Sequence, residues 1–254
     1  MNFRELILNN INENDMEFMP IVPLGEVEME EQEKSELPKE IPVIALRNTV
    51  LFPNVVLPIT VSREKSVKAI AEGTKNGGLI GVLAQKDQNN EDPETGDIHK
   101  IGTIAKIVKQ IKMPDGNTTI FIMGRMRFEI ERYTQDAPFL KAQVKYLDDR
   151  FPKEDKEFEA MIASVKDMAE RIISLSPNIP VETGMMLRNI ENYSFLVHFI
   201  ASNLETKLEE NQALLEQNDV RARTHRLIEL LQTDLQMAEL KNEKVLIRAH
   251  GEAP

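Results

Sequence analysis

Polar and apolar positions change rhythm three times along the chain. The first 40 residues open with a short apolar patch (Phe3, Leu6, Ile7, Ile11) and then run through Glu26, Glu28, Glu30, Glu31 and Glu33 with little to bury, which predicts a mobile, solvated leader. Within it, Met16 to Leu24 is apolar enough to lie across a neighbouring surface. At Ile41 the pattern turns abruptly apolar and β-branched, and IPVIALRNTVLFPNVVLPITV (Ile41 to Val61) reads as strand, turn, strand. Proline cannot donate to a β ladder, so Pro42 fits a strand start and Pro53 and Pro58 an edge or a bulge. Arg47, Asn48 and Thr49 form the polar bend, which places Phe52 and Pro53 on one corner of a small β core.

A short helix is expected next, capped by Ser62, with Val67, Ile70 and Ala71 on one face and Gly73 to Gly78 ending it. LIGVLA (Leu79 to Ala84) is a continuous apolar run, the pattern of a strand covered on both faces. The stretch from Asp87 to Asp97 is a polar loop too acidic to pack. From His99 to Met113 the chain alternates, with Ile101, Thr103, Ala105, Ile107 and Ile111 on one side and Lys106 and Gln110 on the other. Pro114-Asp115-Gly116-Asn117 supplies a preset φ and a glycine for a hairpin into Thr118 to Met123. Strands follow at Arg127 to Ile130 and Leu140 to Leu147. About six strands and one short helix in about 110 residues point to a closed or nearly closed barrel, which leaves few exposed edges.

Near Phe151 the period lengthens. Phe158, Met161, Ile162, Val165, Met168, Ala169, Ile172 and Ile173 recur at three- and four-residue spacing, the stripe of a one-face-buried helix. Pro177 to Pro180 stops it. Further helices are expected at Val181 to Ile190, Ser194 to Leu204, Thr206 to Glu216 and, capped by Asp219, on toward Lys244. The expected domains are a leader (1–40), a β barrel (41–150) and a helical bundle ending in a long helix (151–254), an α+β chain.

Composition narrows the function. No apolar run is long enough to span a bilayer, no basic start precedes an apolar core, and no cysteine occurs among the 254 residues, which together point to the cytoplasm. Residues 1–40 carry 3 basic and 11 acidic residues (−8), 41–150 carry 16 and 13 (+3), and 151–254 carry 12 and 18 (−6). Only the middle leans basic, and weakly, which argues against nucleic acid. The four histidines are scattered without metal-ligand spacing, and His198 amid Phe195, Leu196 and Phe199 reads as a core residue. No Gly-Lys pair exists for a phosphate-binding loop and no G-x-S-x-G elbow for a nucleophile, so neither an enzyme nor a cofactor site is read in this chain alone. Met161 and Met168 belong to the helical stripe, while Met113, Met123 and Met126 are left as possible surface contacts. Arg125, Arg127 and Arg132, interleaved with Glu129 and Glu131, read as a solvated strand face.

The segment P-V-I-A-L-R-N-T-V-L-F-P resembles the opening of the N-terminal domain of Lon proteases, ATP-dependent serine proteases that unfold and degrade damaged proteins. REKSVKAI (Arg63 to Ile70), LAQKD (Leu83 to Asp87), IGTIAKI (Ile101 to Ile107), MPDG (Met113 to Gly116) and GRMRFEI (Gly124 to Ile130) extend the resemblance through residue 150. The helical half resembles the family more loosely. The resemblance implies a PUA-like β pseudo-barrel followed by a helical bundle and a long helix leading to the ATPase ring. It also implies a substrate-recognition and assembly role, holding unfolded or damaged polypeptides. From the residues themselves, Phe52, Pro53, Val55, Met113 and Met123 are the candidate polypeptide-binding positions, with Phe52 and Pro53 weighed as core ahead of binding patch. The family's ATPase and protease domains are the implied partners. A hexamer belongs to that full-length context, and the chain alone is expected to be a monomer or weak dimer. The alternative is a stand-alone binding or adaptor protein that uses the same barrel for a folded partner or a small ligand; an RNA-binding module is a third reading.

Overall fold

The computed structural model describes residues 36–112, 118–153, 155–176, 182–204 and 206–251. Residues 1–35 of the expected leader, the Pro114 to Asn117 turn, Met113 and the Pro177 to Pro180 stop lie outside these; the end of the leader instead joins the sheet, with Glu40 in its first strand. The chain divides into two compact units, Met1–Asp148 with Leu208–Glu216, and Asp149–Lys207 with Gln217–Pro254.

The first unit is a mixed sheet of β1 (Glu40–Leu46), β2 (Val56–Val61), β3 (Leu79–Ala84), β4 (Ile101–Lys112), β5 (Thr118–Gln135) and β6 (Leu140–Leu147). The strand order is β2-β5-β4-β3-β1-β6, and β5 also pairs with β6. Five strands therefore close a ring, with β2 appended to the first half of β5, a pseudo-barrel of the expected kind. The opening segment is not a hairpin. β1 runs parallel to β3 and antiparallel to β6, while β2 pairs with β5, because Leu51, Phe52 and Val55 bury themselves in the connection and carry the chain across the core.

β5 is one strand of 18 residues where two are expected. Gly124 does not break it. A Cβ there would overlap the carbonyl oxygen of Phe52, so glycine is what lets the connection lie against the strand. Helix α1 (Glu64–Lys75) is preceded by Arg63 rather than capped by Ser62, and it runs through Gly73. Its buried residues are Ala69, Ile70 and Gly73, with Val67 exposed, since a Cβ on Gly73 would strike Leu79 and Ile80 of β3. The acidic 87–97 loop does pack: Pro93 is buried, and Asn90 Nδ2 donates to Asp97 Oδ2 at 3.0 Å.

The second unit holds α2 (Lys156–Leu175), α3 (Glu182–Arg188), α4 (Tyr193–Asn203) and α6 (Val220–Gly251). Asp155 caps α2 by accepting from the backbone N–H of Glu157 and Phe158, and Phe158, Ile162, Val165 and Ala169 are its buried stripe. Met161 and Met168 are half-buried alongside it. In α4 seven consecutive residues, Phe195 to Ala201, are buried, so the helix is enclosed all round. Asp219 Oδ1 accepts from Ala222 N at 3.0 Å at the start of α6, whose 32 residues span about 48 Å. The helix expected at Thr206 to Glu216 within the helical half is α5 (Leu208–Glu216), and it belongs with the sheet unit. There Gln212 Nε2 donates to Ile101 O at 2.9 Å, and Arg127 Nη1 donates to Leu215 O at 2.9 Å. Arg127 is thus buried, not part of a solvated face.

Candidate functional site

Alternation fixes which backbone groups of β2 are spent. Gly124 N donates to Val55 O at 2.9 Å, and Val56 lies opposite Met123. In an antiparallel pair this phase points the N–H and C=O groups of Leu57, Ile59 and Val61 at β5, and those of Val56, Pro58 and Thr60 away from it. Among the described residues β2 pairs with β5 alone, so its second edge carries three carbonyls and the N–H groups of Val56 and Thr60 without a strand partner. Pro58 sits where its missing N–H costs the sheet nothing, as an edge proline should.

β1 presents a second open edge. Its pairing with β6 ends at Val43, opposite Leu140, so among the described residues the side of Ala45 that continues this edge has no strand beside it. Arg63 fills part of the gap. Its Nη1 donates to Ala45 O at 3.5 Å, both terminal nitrogens lie 3.0 Å from Gln85 Oε1, and Nη2 donates to Asn90 O at 3.1 Å. Gln85, fully buried, donates in turn to Asp87 O and Asn90 O. One guanidinium thereby ties β1, the end of β3 and the acidic loop together. Burial and the neighbouring Arg47 lower its pKa, with Asp92 and Glu91 pulling the other way; from so high a starting point it stays charged.

Two cavities, of about 280 and 240 Å³, adjoin at Arg63. The first lies between the end of β1 with Arg47 to Thr49 and the Pro58 to Ser62 stretch of β2. The second continues past Val43 to Ala45 and the first turn of α1 to Asp92, Pro93 and Leu140. The result is a groove with apolar stretches of wall, a free strand edge along one side and cations already engaged. Arg47 lies 3.8 Å from Glu91, and Lys65 Nζ 2.8 Å from Asp92 Oδ1. Ser62 and Ser66 line it without a histidine. Such an arrangement can bind a backbone; it is not assembled for nucleophilic chemistry.

The four described residues among the candidates named from sequence lie elsewhere. Phe52, Pro53, Val55 and Met123 are brought together, but inside: Phe52 is 0%, Val55 1% and Met123 4% exposed, and Pro53 is buried. They pack the crossing between β1 and β2, where Asn54 takes a φ of 61°, and so offer no surface patch. Met126 is half-buried. The groove's own residues were missed, although Pro58, read as an edge proline, was the available signal. Arg63 carried no local mark, because its partners are 18 to 27 residues away.

The other titratable clusters are structural. Arg223, fully buried, meets Asp149 through both terminal nitrogens (2.7 and 3.2 Å), with His198 Nε2 2.9 Å from its Nη1 and Ser194 Oγ on the same carboxylate. His198 is 2% exposed, in the core as read. His99 faces Glu216 at 3.6 Å, and burial outweighs that carboxylate to lower its pKa. Burial and the Asp136 carboxylate push Tyr133 up to about 12, and burial raises Tyr146, whose hydroxyl donates to Pro38 O at 2.7 Å. No group of three or more His, Cys, Asp or Glu among the described residues could hold a metal ion, and none of their helices is long and apolar enough to cross a membrane.

Residues 40–233 match the family model of the substrate-binding domain of the ATP-dependent protease La (Lon). The chain belongs to the Lon family. It is 40% identical over 247 residues to a Lon protease of Flavobacterium johnsoniae, covering 95% of this chain and 30% of that protein. To a Lon protease of Cytophaga hutchinsonii it is 44% identical over 231 residues, 90% of this chain and 28% of that one. The chain thus spans somewhat under a third of these Lon relatives. What matches is the family's substrate-binding, non-catalytic region. The fold agrees: the N-terminal domain of a Mycobacterium avium complex Lon protease superposes with a TM-score of 0.64 at 21% identity, covering 76% of this chain and 98% of that one. The Lon N-terminal domain protein of Xanthomonas campestris gives 0.55 at 16% identity, covering 75% and 97%.

Proposed function

We propose that this chain recognises unfolded or damaged polypeptides for a Lon-type ATP-dependent protease in cytoplasmic quality control, and that it works alongside the family's ATPase and protease domains arranged in a ring. The match of residues 40–233 to the family's substrate-binding domain carries the reading. The groove beside Arg63 supports it, because free backbone donors and acceptors recognise any extended chain without regard to sequence.

The test is binding of the purified chain to fluorescein-labelled, reduced and carboxymethylated lactalbumin, with native lactalbumin and a structured RNA at two salt concentrations as controls. Saturable micromolar or weaker binding of the unfolded form alone is the expected result. Binding confined to a folded protein would favour an adaptor role. Binding of RNA that falls steeply with salt would replace the reading with a nucleic-acid one.

A further inference from the structure

From the phase of β2 and the position of the groove, we propose that the occupant is an extended polypeptide segment that adds to the sheet as a strand, hydrogen-bonded to the outer edge of β2 through Val56, Pro58 and Thr60. The inference rests on the polypeptide-binding reading above and says where and how the segment is held.

Three observations commit the groove to this occupant. The unspent groups on β2 alternate, Val56, Pro58 and Thr60, and alternation at every second residue is the spacing of an extended backbone and of no helix. Across the groove the edge of β1 at Ala45 has no strand partner among the described residues and is met by the Arg63 guanidinium, so the added strand lies between two edges of one sheet. The charges at hand are already committed: Arg63 to Ala45 O, Gln85 and Asn90 O, Lys65 to Asp92, and Arg47 beside Glu91. A phosphate backbone there would have to displace Glu91 and Asp92 from Arg47 and Lys65 and meet their charge, whereas a neutral peptide backbone needs no cation. Ile44, Leu46, Pro58 and Ile59 line the wall, so side chains on one face of the added strand meet apolar surface. Pro58 lacks the middle N–H, which leaves one rung of the ladder unmade and keeps the edge from templating a long, tight sheet.

The probe is a labelled seven-residue peptide alternating valine and threonine, used with the full chain and with the carboxymethylated lactalbumin above. Two versions carry N-methyl groups on alternate residues, one set on each edge of the peptide. Strand pairing predicts that one version loses about tenfold in affinity while the other stays within about twofold, and that the parent peptide competes with the unfolded protein. Thr60→Pro removes an outward N–H that the sheet does not use, together with the Thr60 Oγ1 contact to Thr119 Oγ1 that Thr60→Val also removes; the two variants are expected to share one thermal midpoint, and Thr60→Pro to bind about tenfold more weakly than Thr60→Val. Equal binding of the two methylated peptides, or full binding by a folded Thr60→Pro chain, would overturn strand addition while leaving polypeptide recognition standing. RNA that displaces the peptide from this groove would also overturn it. Absence of lactalbumin binding by the wild-type chain would remove both readings.

Discussion

Arg127 and Arg63 sit at the same physical crossroads, a guanidinium spent on backbone carbonyls that no strand or helix can satisfy. Arg127 is 2% exposed, and it donates to Leu215 O near the C-terminus of α5 and to Asp148 O at 3.3 Å. Arg127→Met keeps the bulk and removes the donors; a loss of about 2 kcal/mol or more in urea unfolding is expected, since each buried acceptor left unpaired costs about 1–3 kcal/mol. Its neighbours in sequence gave no warning, because the glutamates around it describe a solvated face and the helix that covers it arrives some 80 residues later. His99 is a second consequence of that helix. Burial favours its neutral form against the pull of Glu216 and Glu209 on α5, with Lys86 acting in the same direction as burial. A histidine whose folded pKa lies below its unfolded value takes up a proton in the unfolded chain first. Stability is therefore expected to fall as pH drops below about 6.5 and to level off below the folded value. His99→Gln should flatten that part of the profile, measured as thermal midpoint against pH, and an unchanged slope would show that other groups carry it.

At the scale of elements, the ones that read cleanly from sequence are those whose partners matter least to their pattern. β6 was legible at both ends, and α2 and α4 nearly so, because a period or an unbroken apolar run needs only the local residues. Pairing did not read. Nothing near Pro42 says that β1 joins β3 and β6 while β2 crosses to β5, since those choices are made by contacts 38 to 103 residues apart. Gly124 shows the difference sharply: in the sequence it only opens the GRMRFEI segment, and in the structure it is the site where the Phe52 carbonyl lies against a continuous β5. Gly124→Ala is expected to cost on the order of 3 kcal/mol, because the clash is with backbone that cannot turn aside. In the helical unit, α6 is held to Asp149 and Gln217 by Arg223. Arg223→Met would leave the Asp149 carboxylate, 15% exposed, without its bidentate partner, and a loss of about 3–5 kcal/mol is expected by urea titration.

For the whole molecule the question is how weak a single binding site must be. The outer edge of β2 presents Val56 to Thr60, and a strand laid on it makes four or five hydrogen bonds worth on the order of 1 kcal/mol each, plus whatever apolar area the walls cover. Against this stands a cost on the order of 4–15 kcal/mol for the freedom lost on association, with more for ordering a disordered chain. The balance favours micromolar or weaker binding for one copy, fitting for a site meant to sample many sequences and release them. Tightness then has to come from number. The chain alone is expected to be a monomer or weak dimer by light scattering, so fusing it to a hexamer-forming scaffold, which places several grooves within reach of one unfolded chain, should raise apparent affinity for carboxymethylated lactalbumin by about 10²–10⁴-fold without any new contact. The same fusion should leave the affinity for the seven-residue peptide unchanged, because a peptide that short occupies one groove at a time. A gain for both ligands alike would mean that assembly alters the groove itself, and a gain for neither would mean that one copy already captures the whole of what the unfolded chain offers.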